Sequence, residues 1–177
     1  MRRMRYNVAA SLDGYIAGPN GEFDWIPEDP TVDFEGLFAR IDTVIMGRGT
    51  FDTVLKNGGA TAWKEGTRVF VVSRTLSEHD HPGVTIVREE PARIAASLRA
   101  EEGTGEIWLF GGGVLFAELL AAGQVDSVEV TVVPIVLGGG IPLLATGLGG
   151  AKLTLASSHV YPSGMVALHY EVVNAAH

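Results

Sequence analysis

Short blocks of apolar residues recur along this chain, and their period switches between two and about 3.6 from one block to the next. The first block, Arg5 to Ser11 (RYNVAAS), predicts a strand, and a loop rich in Gly, Pro and Asp then runs through Pro30. Asp33 to Ile41 (DFEGLFARI) places Phe34, Leu37, Phe38 and Ile41 at helical spacing. Thr43 to Met46 predicts a buried strand ending at Gly47, and Thr50 to Lys56 a short helix closed by Asn57-Gly58-Gly59. Strands are predicted at Arg68–Ser73 and Val84–Arg88, followed by a helix at Pro91–Glu101 that carries proline in its first turn. Glu106–Phe110 predicts a strand and Val114–Ala122 a helix ending at Gly123. The rest reads as strands: Ser127–Val133, then Lys152–Val160 and Met165–Val173 as a hairpin around Tyr161-Pro162-Ser163-Gly164. Strands that alternate with helices and finish in an antiparallel hairpin imply a mixed sheet covered on both faces.

Composition narrows the picture. The 177 residues carry no repeat or low-complexity linker, which fits one domain over 1–177 with a substantial core. Hydrophobic residues make up 46% and charged residues 19%, so the chain is expected to be folded. A net charge of -8 argues against a general nucleic-acid or membrane-surface binder, so an anionic ligand must be held by local cations or oriented amides. The absence of cysteine excludes disulfides, thiolate catalysis and Cys-ligated zinc. No stretch reads as a signal-peptide core or a membrane span, and a cytoplasmic location is expected.

The candidate chemistry lies at strand-to-helix junctions. Gly111-Gly112-Gly113 separates an apolar strand from a helix. Helix amino termini offer unpaired N–H groups and partial positive charge, and glycine lets a phosphate approach the backbone. A β-branched residue at Gly112 is expected to fill the volume of a pyrophosphate and to resist a positive φ. A second junction, VIMGRGTFD, adds Arg48 and Thr50 after Gly47, and a third, VVSRT, adds Ser73 and Arg74. Arginine provides a fork of donors for phosphate. The motifs G-x-G-x-x-G and G-x-x-x-x-G-K-[ST] do not occur, which argues against Rossmann and P-loop sites.

Four ordered segments, VAASLDGYIAGPNG (Val8–Gly21), VIMGRGTF, VVSR and FGGGVLFAELL (Phe110–Leu120), resemble the dihydrofolate reductase-like superfamily. The similarity is to its RibD C-terminal branch, the reductase of riboflavin biosynthesis, and to stand-alone relatives. The resemblance implies a three-layer α/β/α dihydrofolate reductase-like fold with a mixed central sheet and NADPH as cofactor. By position, Ala9, Ala10 and Ile16 would border the nicotinamide. Gly47, Arg48, Gly49 and Thr50 would hold adenosine-side phosphates, Ser73 and Arg74 the adenine and its 2′-phosphate, and Gly111, Gly112 and Gly113 the pyrophosphate and nicotinamide ribose. Thr131, in VEVTVVP, would face substrate, and a homodimer through the late strands is implied.

The substrate side is less specific. The segment WIPEDPTVDFEGLF offers Glu28, Asp29, Asp33 and Glu35 as acidic candidates, and spacing does not choose among them. Asp33 is a helix N-cap by position and a candidate proton donor, Asp13 in SLDG is a second candidate, and Trp25 and Phe34 could cover the site. The Gly18–Pro30 loop is acidic and lacks Lys and Arg, which disfavours a phosphorylated substrate there. Hydride transfer to a C=N or C=O group of a heterocycle or sugar is the expected reaction. A pterin reductase and a non-catalytic nucleotide-binding module are the alternatives. His79-Asp80-His81 lacks a third ligand, so no metal is expected, and Gly138–Gly140 predicts a bulge or corner.

Overall fold

The computed structural model describes residues 1–58, 63–147 and 150–173. Eight strands form one sheet in the order β5-β4-β3-β6-β1-β7-β10-β9, and a separate two-stranded ribbon pairs β2 with β8. The strands are β1 (Met4–Ser11), β2 (Tyr15–Ala17), β3 (Ile41–Gly47), β4 (Arg68–Val72), β5 (Val84–Val87), β6 (Glu106–Gly111), β7 (Ser127–Val133), β8 (Ile141–Pro142), β9 (Lys152–Val160) and β10 (Val166–Val173). The helices are α1 (Phe34–Arg40), α2 (Arg48–Lys56), α3 (Pro91–Ala100) and α4 (Gly113–Ala121), and Glu78–Asp80 forms a 3-10 turn. Strands β1 and β3 to β7 are mutually parallel, and β10 runs antiparallel to both β7 and β9.

Alternation along the central strands divides the core into two faces. Met4, Tyr6, Ile45, Ile107, Leu109 and Val128 face α3 and α4, where they meet Leu98, Leu115, Phe116 and Leu119. Tyr6 stacks on Phe116 with ring centroids 3.8 Å apart. Val44, Met46, Val69, Val71 and Trp108 face the other way, against Phe51 of α2 and Leu37 and Phe38 of α1. At the amino ends of the strands the buried Arg2 pairs with Asp42 and with Glu101, which also holds Arg68 at 2.6 Å.

The expected three-layer mixed fold is therefore present, with local differences. Strand β2 lies inside the segment expected to be loop, because its pairing with β8 is a tertiary contact that local periodicity does not encode. Helix α2 begins at Arg48 rather than Thr50, and α4 at Gly113 rather than Val114. Asn57 closes α2 as expected; Gly59 lies outside the described residues. The positive φ of the first glycine triplet falls on Gly111 (138°), not on Gly112, whose φ of -91° any residue adopts.

Candidate active site

The carboxyl ends of β3 and β6 lie side by side, since Ile45 pairs with Leu109 and Met46 with Gly111. This register brings two of the sequence junctions together. A Cβ built on Gly111 or Gly112 would lie 3.4 or 3.3 Å from the Thr50 hydroxyl, and Gly49 faces open space. The N-caps of α2 and α4 are Gly47 and Gly112, and neither supplies a side-chain cap. By contrast, α1 is capped by its own Asp33, whose carboxylate accepts from the Gly36 N–H at 2.8 Å. Two adjacent helix amino termini thus retain free donors facing a side-chain-poor gap, an arrangement suited to an anion.

The third junction joins the same edge. The Arg48 guanidinium donates to the Thr75 hydroxyl and lies 3.4 Å from Asp52, while the Ser73 hydroxyl is 3.5 Å from that of Thr75 and accepts from the Leu76 N–H at 3.2 Å. Arg48 and Ser73 therefore meet through Thr75, a residue that motif reasoning passed over. Arg74 is exposed and makes no hydrogen bond or ion pair among the described residues. Gly113 serves differently: a Cβ there would collide with the carbonyl oxygens of Pro142 and Leu143, so it admits β8 rather than a ligand.

On the α1 face of the sheet lies a cavity of about 1240 Å³. Asn7 and Ala9 of β1, Glu129 and Thr131 of β7, Ser157 and His159 of β9, and Ala167 and His169 of β10 form its floor; Asp33, Phe34, Leu37 and Arg40 close it from α1. Ala9, Thr131, Asp33 and Phe34 thus line one cavity, whereas Ala10 is buried and Ile16 lies on β2. Trp25 is not among the lining residues; its indole donates to the Glu22 carbonyl at 3.0 Å, and Phe23 and Ile26 reach the cavity instead.

Asp13 also stands outside the cavity. Its carboxylate accepts from the Leu137 and Gly138 N–H groups at 3.0 and 2.7 Å, pinning the loop after β1 to the one after β7. A hydrogen bond from Ser11 and these two amides hold its pKa below the ordinary carboxylate value. Asp29 performs a similar task at the cavity wall. It accepts from Thr31 and from the Ser163 N–H at 3.1 Å, linking the long loop to the β9–β10 turn, and these bonds likewise lower its pKa.

Sequence reasoning missed Glu129. Its carboxylate is 3.1 Å from the Arg5 guanidinium, which also contacts Glu106 at 2.7 Å, and it accepts from the Asn7 carboxamide nitrogen at 2.8 Å. Both Arg5 and Glu129 are largely shielded from solvent. The signal that could have found it is the alternation of VEVTVVP, which puts Glu129 and Thr131 on one face of β7. Among the described residues no group of three His, Asp or Glu could hold a metal.

The architecture is that of the dihydrofolate reductase-like class. Dihydrofolate reductase from Enterococcus faecalis, solved in complex with NADP(H), superposes with a TM-score of 0.67 at 19% identity, covering 97% of each chain. A family model of the RibD C-terminal domain matches residues 2–167, and the chain belongs to that family. The uncharacterized protein YyaP of Bacillus subtilis is 31% identical over 96% of this chain and 94% of its own length. A protein of Shewanella sp. PV-4 that carries a riboflavin-biosynthesis designation superposes with a TM-score of 0.82 at 31% identity, covering 98% of this chain and all of the other. No helix among the described residues is long and apolar enough to cross a membrane.

Proposed function

We propose that the chain is an NADPH-dependent reductase that delivers hydride to a C=N or C=O group of a small heterocyclic or ribosyl substrate. The observation that carries this reading is the pair of uncapped, glycine-led helix amino termini of α2 and α4, adjacent at the carboxyl ends of β3 and β6. Their free N–H groups fit a pyrophosphate, and the Thr50 hydroxyl lies between them. Gly47 and Gly49 keep the approach clear, Arg48 and Arg74 bring cations to the same edge, and Ser73 and Thr75 add hydroxyls. NADPH, when bound, supplies the hydride. The backbone of Ala9 and Ala10, with Ile16 of β2, is assigned to the nicotinamide end, and Ala9 and Thr131, which line the cavity, form the wall against which substrate is placed.

Asp33 is the carboxylate assigned to proton delivery, directly or through water. It lines the cavity, and its capping bond engages only one of its two oxygens. Asp13 is less suited, because both its oxygens accept backbone N–H groups and its pKa is lowered. Titration calorimetry with NADPH tests the reading. Saturable binding that Gly112→Val strongly weakens supports it, and a flat titration of the folded native protein overturns it.

Assembly belongs to the same proposal. Strand β9 is exposed along its whole length at the sheet edge, and Leu153, Leu155 and Val160 are apolar there. A two-fold homodimer through β9 and β10 covers this edge. Light scattering at micromolar concentration is expected to give the mass of two chains; a monomer rejects it.

A further inference from the structure

The floor of the cavity fixes one hydrogen-bonding group in one sense. Asn7 and Glu129 are register partners on the parallel strands β1 and β7, as are Ala9 and Thr131 one step further on. All four line the cavity. The Glu129 carboxylate has only acceptors to offer, so the Asn7 carboxamide must turn its nitrogen toward it, and the 2.8 Å contact is that bond. The Asn7 oxygen is then left as an acceptor with no protein donor among the described residues. Arg5 anchors this arrangement from beneath by holding Glu129 and Glu106 together. The geometry of the pair is set before any ligand arrives.

Charge on the same walls points to the kind of ligand. Asp24, Glu28, Asp29, Asp33 and Glu129 all line the cavity. Among the described residues Arg40 is its only arginine or lysine, and His159 and His169 also line it. Arg5, which neighbours the floor through Glu129, is engaged by two carboxylates. A phosphate dianion entering this cavity would meet five carboxylates, with one exposed arginine and two histidines to answer it.

We infer that Asn7 determines substrate specificity by accepting an N–H from an unphosphorylated heterocycle, with Glu129 as the residue that positions its carboxamide. This rests on the reductase reading above for the location of the substrate, and it adds the class: a small, neutral ring bearing an N–H donor on the edge that faces β1 and β7. The role assigned to Glu129 is to orient Asn7.

Calorimetry on the NADPH-loaded protein with three probes tests the inference. The probes are 5,6-diaminouracil, its ring-methylated form 5,6-diamino-1,3-dimethyluracil, and 5-amino-6-(5-phosphoribosylamino)uracil. One lost hydrogen bond corresponds to a change on the order of tenfold. The unmethylated ring is expected to bind about tenfold more tightly than either of the others. Asn7→Ala should bring the unmethylated and methylated rings to equal affinity. In Glu129→Gln the carboxamide loses its fixed orientation, so the same ratio should fall toward one. A purely structural role for Glu129 would weaken all three probes together.

Tighter binding of the phosphorylated probe, a methylation preference that survives Asn7→Ala, or binding of none of the three each overturns the inference. The same titrations repeated without NADPH separate its failure from failure of the cofactor reading. A protein that binds no NADPH yet keeps the Asn7-dependent ratio refutes only the latter.

Discussion

The chain contains two runs of three glycines, and the fold uses them in opposite ways. Gly111–Gly113 bridges a central parallel strand to α4, where Gly112 is an uncapped helix N-cap with only the Thr50 hydroxyl nearby. Gly138–Gly140 lies between β7 and β8, where the Gly138 N–H is bound by Asp13 and a Cβ on Gly140 would collide with the Ala17 carbonyl. The first run leaves space and donors for something outside the chain; the second admits another part of the chain itself. The division even passes through the first run, because Gly113 is packed against the backbone of Pro142 and Leu143. Composition alone does not distinguish a ligand cradle from a packing contact. What distinguishes them is whether the space beside the glycine is already filled by backbone.

The largest effect is expected where the space is filled. Gly140→Ala must place a Cβ against the Ala17 carbonyl at a φ of 145°, a region that disfavours L residues. Backbone strain and overpacking each cost about 1–3 kcal/mol, so destabilisation of about 2–6 kcal/mol is expected in denaturant unfolding. The affinity of the folded fraction for NADPH should be little changed. A variant as stable as the native protein would remove the contrast between the two runs.

Gly112→Val is the converse. Its backbone suits any residue, and the added side chain meets only the Thr50 hydroxyl at 3.3 Å. Unfolding should shift by no more than about 1 kcal/mol. NADPH affinity should fall by about a hundredfold, because the side chain occupies the gap between the two helix termini and blocks their N–H groups, worth about 1.5–3 kcal/mol per charge-assisted bond. Retained affinity would show that the glycines form only a turn.

These contrasts mark how far the sequence could be read. Period and punctuation placed β1, β3 to β7, the hairpin and all four helices, because each buries one face whose spacing is written locally. The glycine-led junctions were legible too, since Gly47, Arg48, Thr50 and Gly111 to Gly113 sit next to strand ends. The arrangement around the cavity was not. Strand β2 exists only through β8, Asp13 serves a loop far along the chain, and the Asn7–Glu129 bond spans 122 positions. Interactions of that separation have no local signature. Trp25 shows the reverse error, a conspicuous aromatic that bonds within its own loop.

A smaller effect should sharpen the comparison at the adenosine end of the open edge. Arg48 is held by Thr75 and Asp52 beside Ser73, in place to meet a phosphate that NADPH carries and NADH lacks. One charge-assisted hydrogen bond contributes about 1.5–3 kcal/mol, so Arg48→Ala should reduce the preference for NADPH over NADH by about tenfold to a hundredfold. The loss should shrink as salt rises, since the group is exposed. Equal affinities of the native protein for both cofactors would remove the role assigned to Arg48.

The smallest effect belongs to the closed run and depends on pH. The Asp13 pKa is lowered by Ser11 and by the Leu137 and Gly138 amides, so folding binds its ionised form more favourably than the unfolded chain does. A carboxylate lowered in this way stabilises the fold fully above its unfolded pKa of about 4. That contribution is lost as pH falls through the lower folded value, where the proton is taken up in both states. Asp13→Asn keeps one acceptor and removes the charge. The native protein should therefore melt a few degrees above the variant at neutral pH, and the two melting curves should converge on acidification. A gap that stays constant from about pH 7 to about pH 2.5 would mean that the ionised carboxylate is not what fastens the Gly138 loop to the strand beneath it.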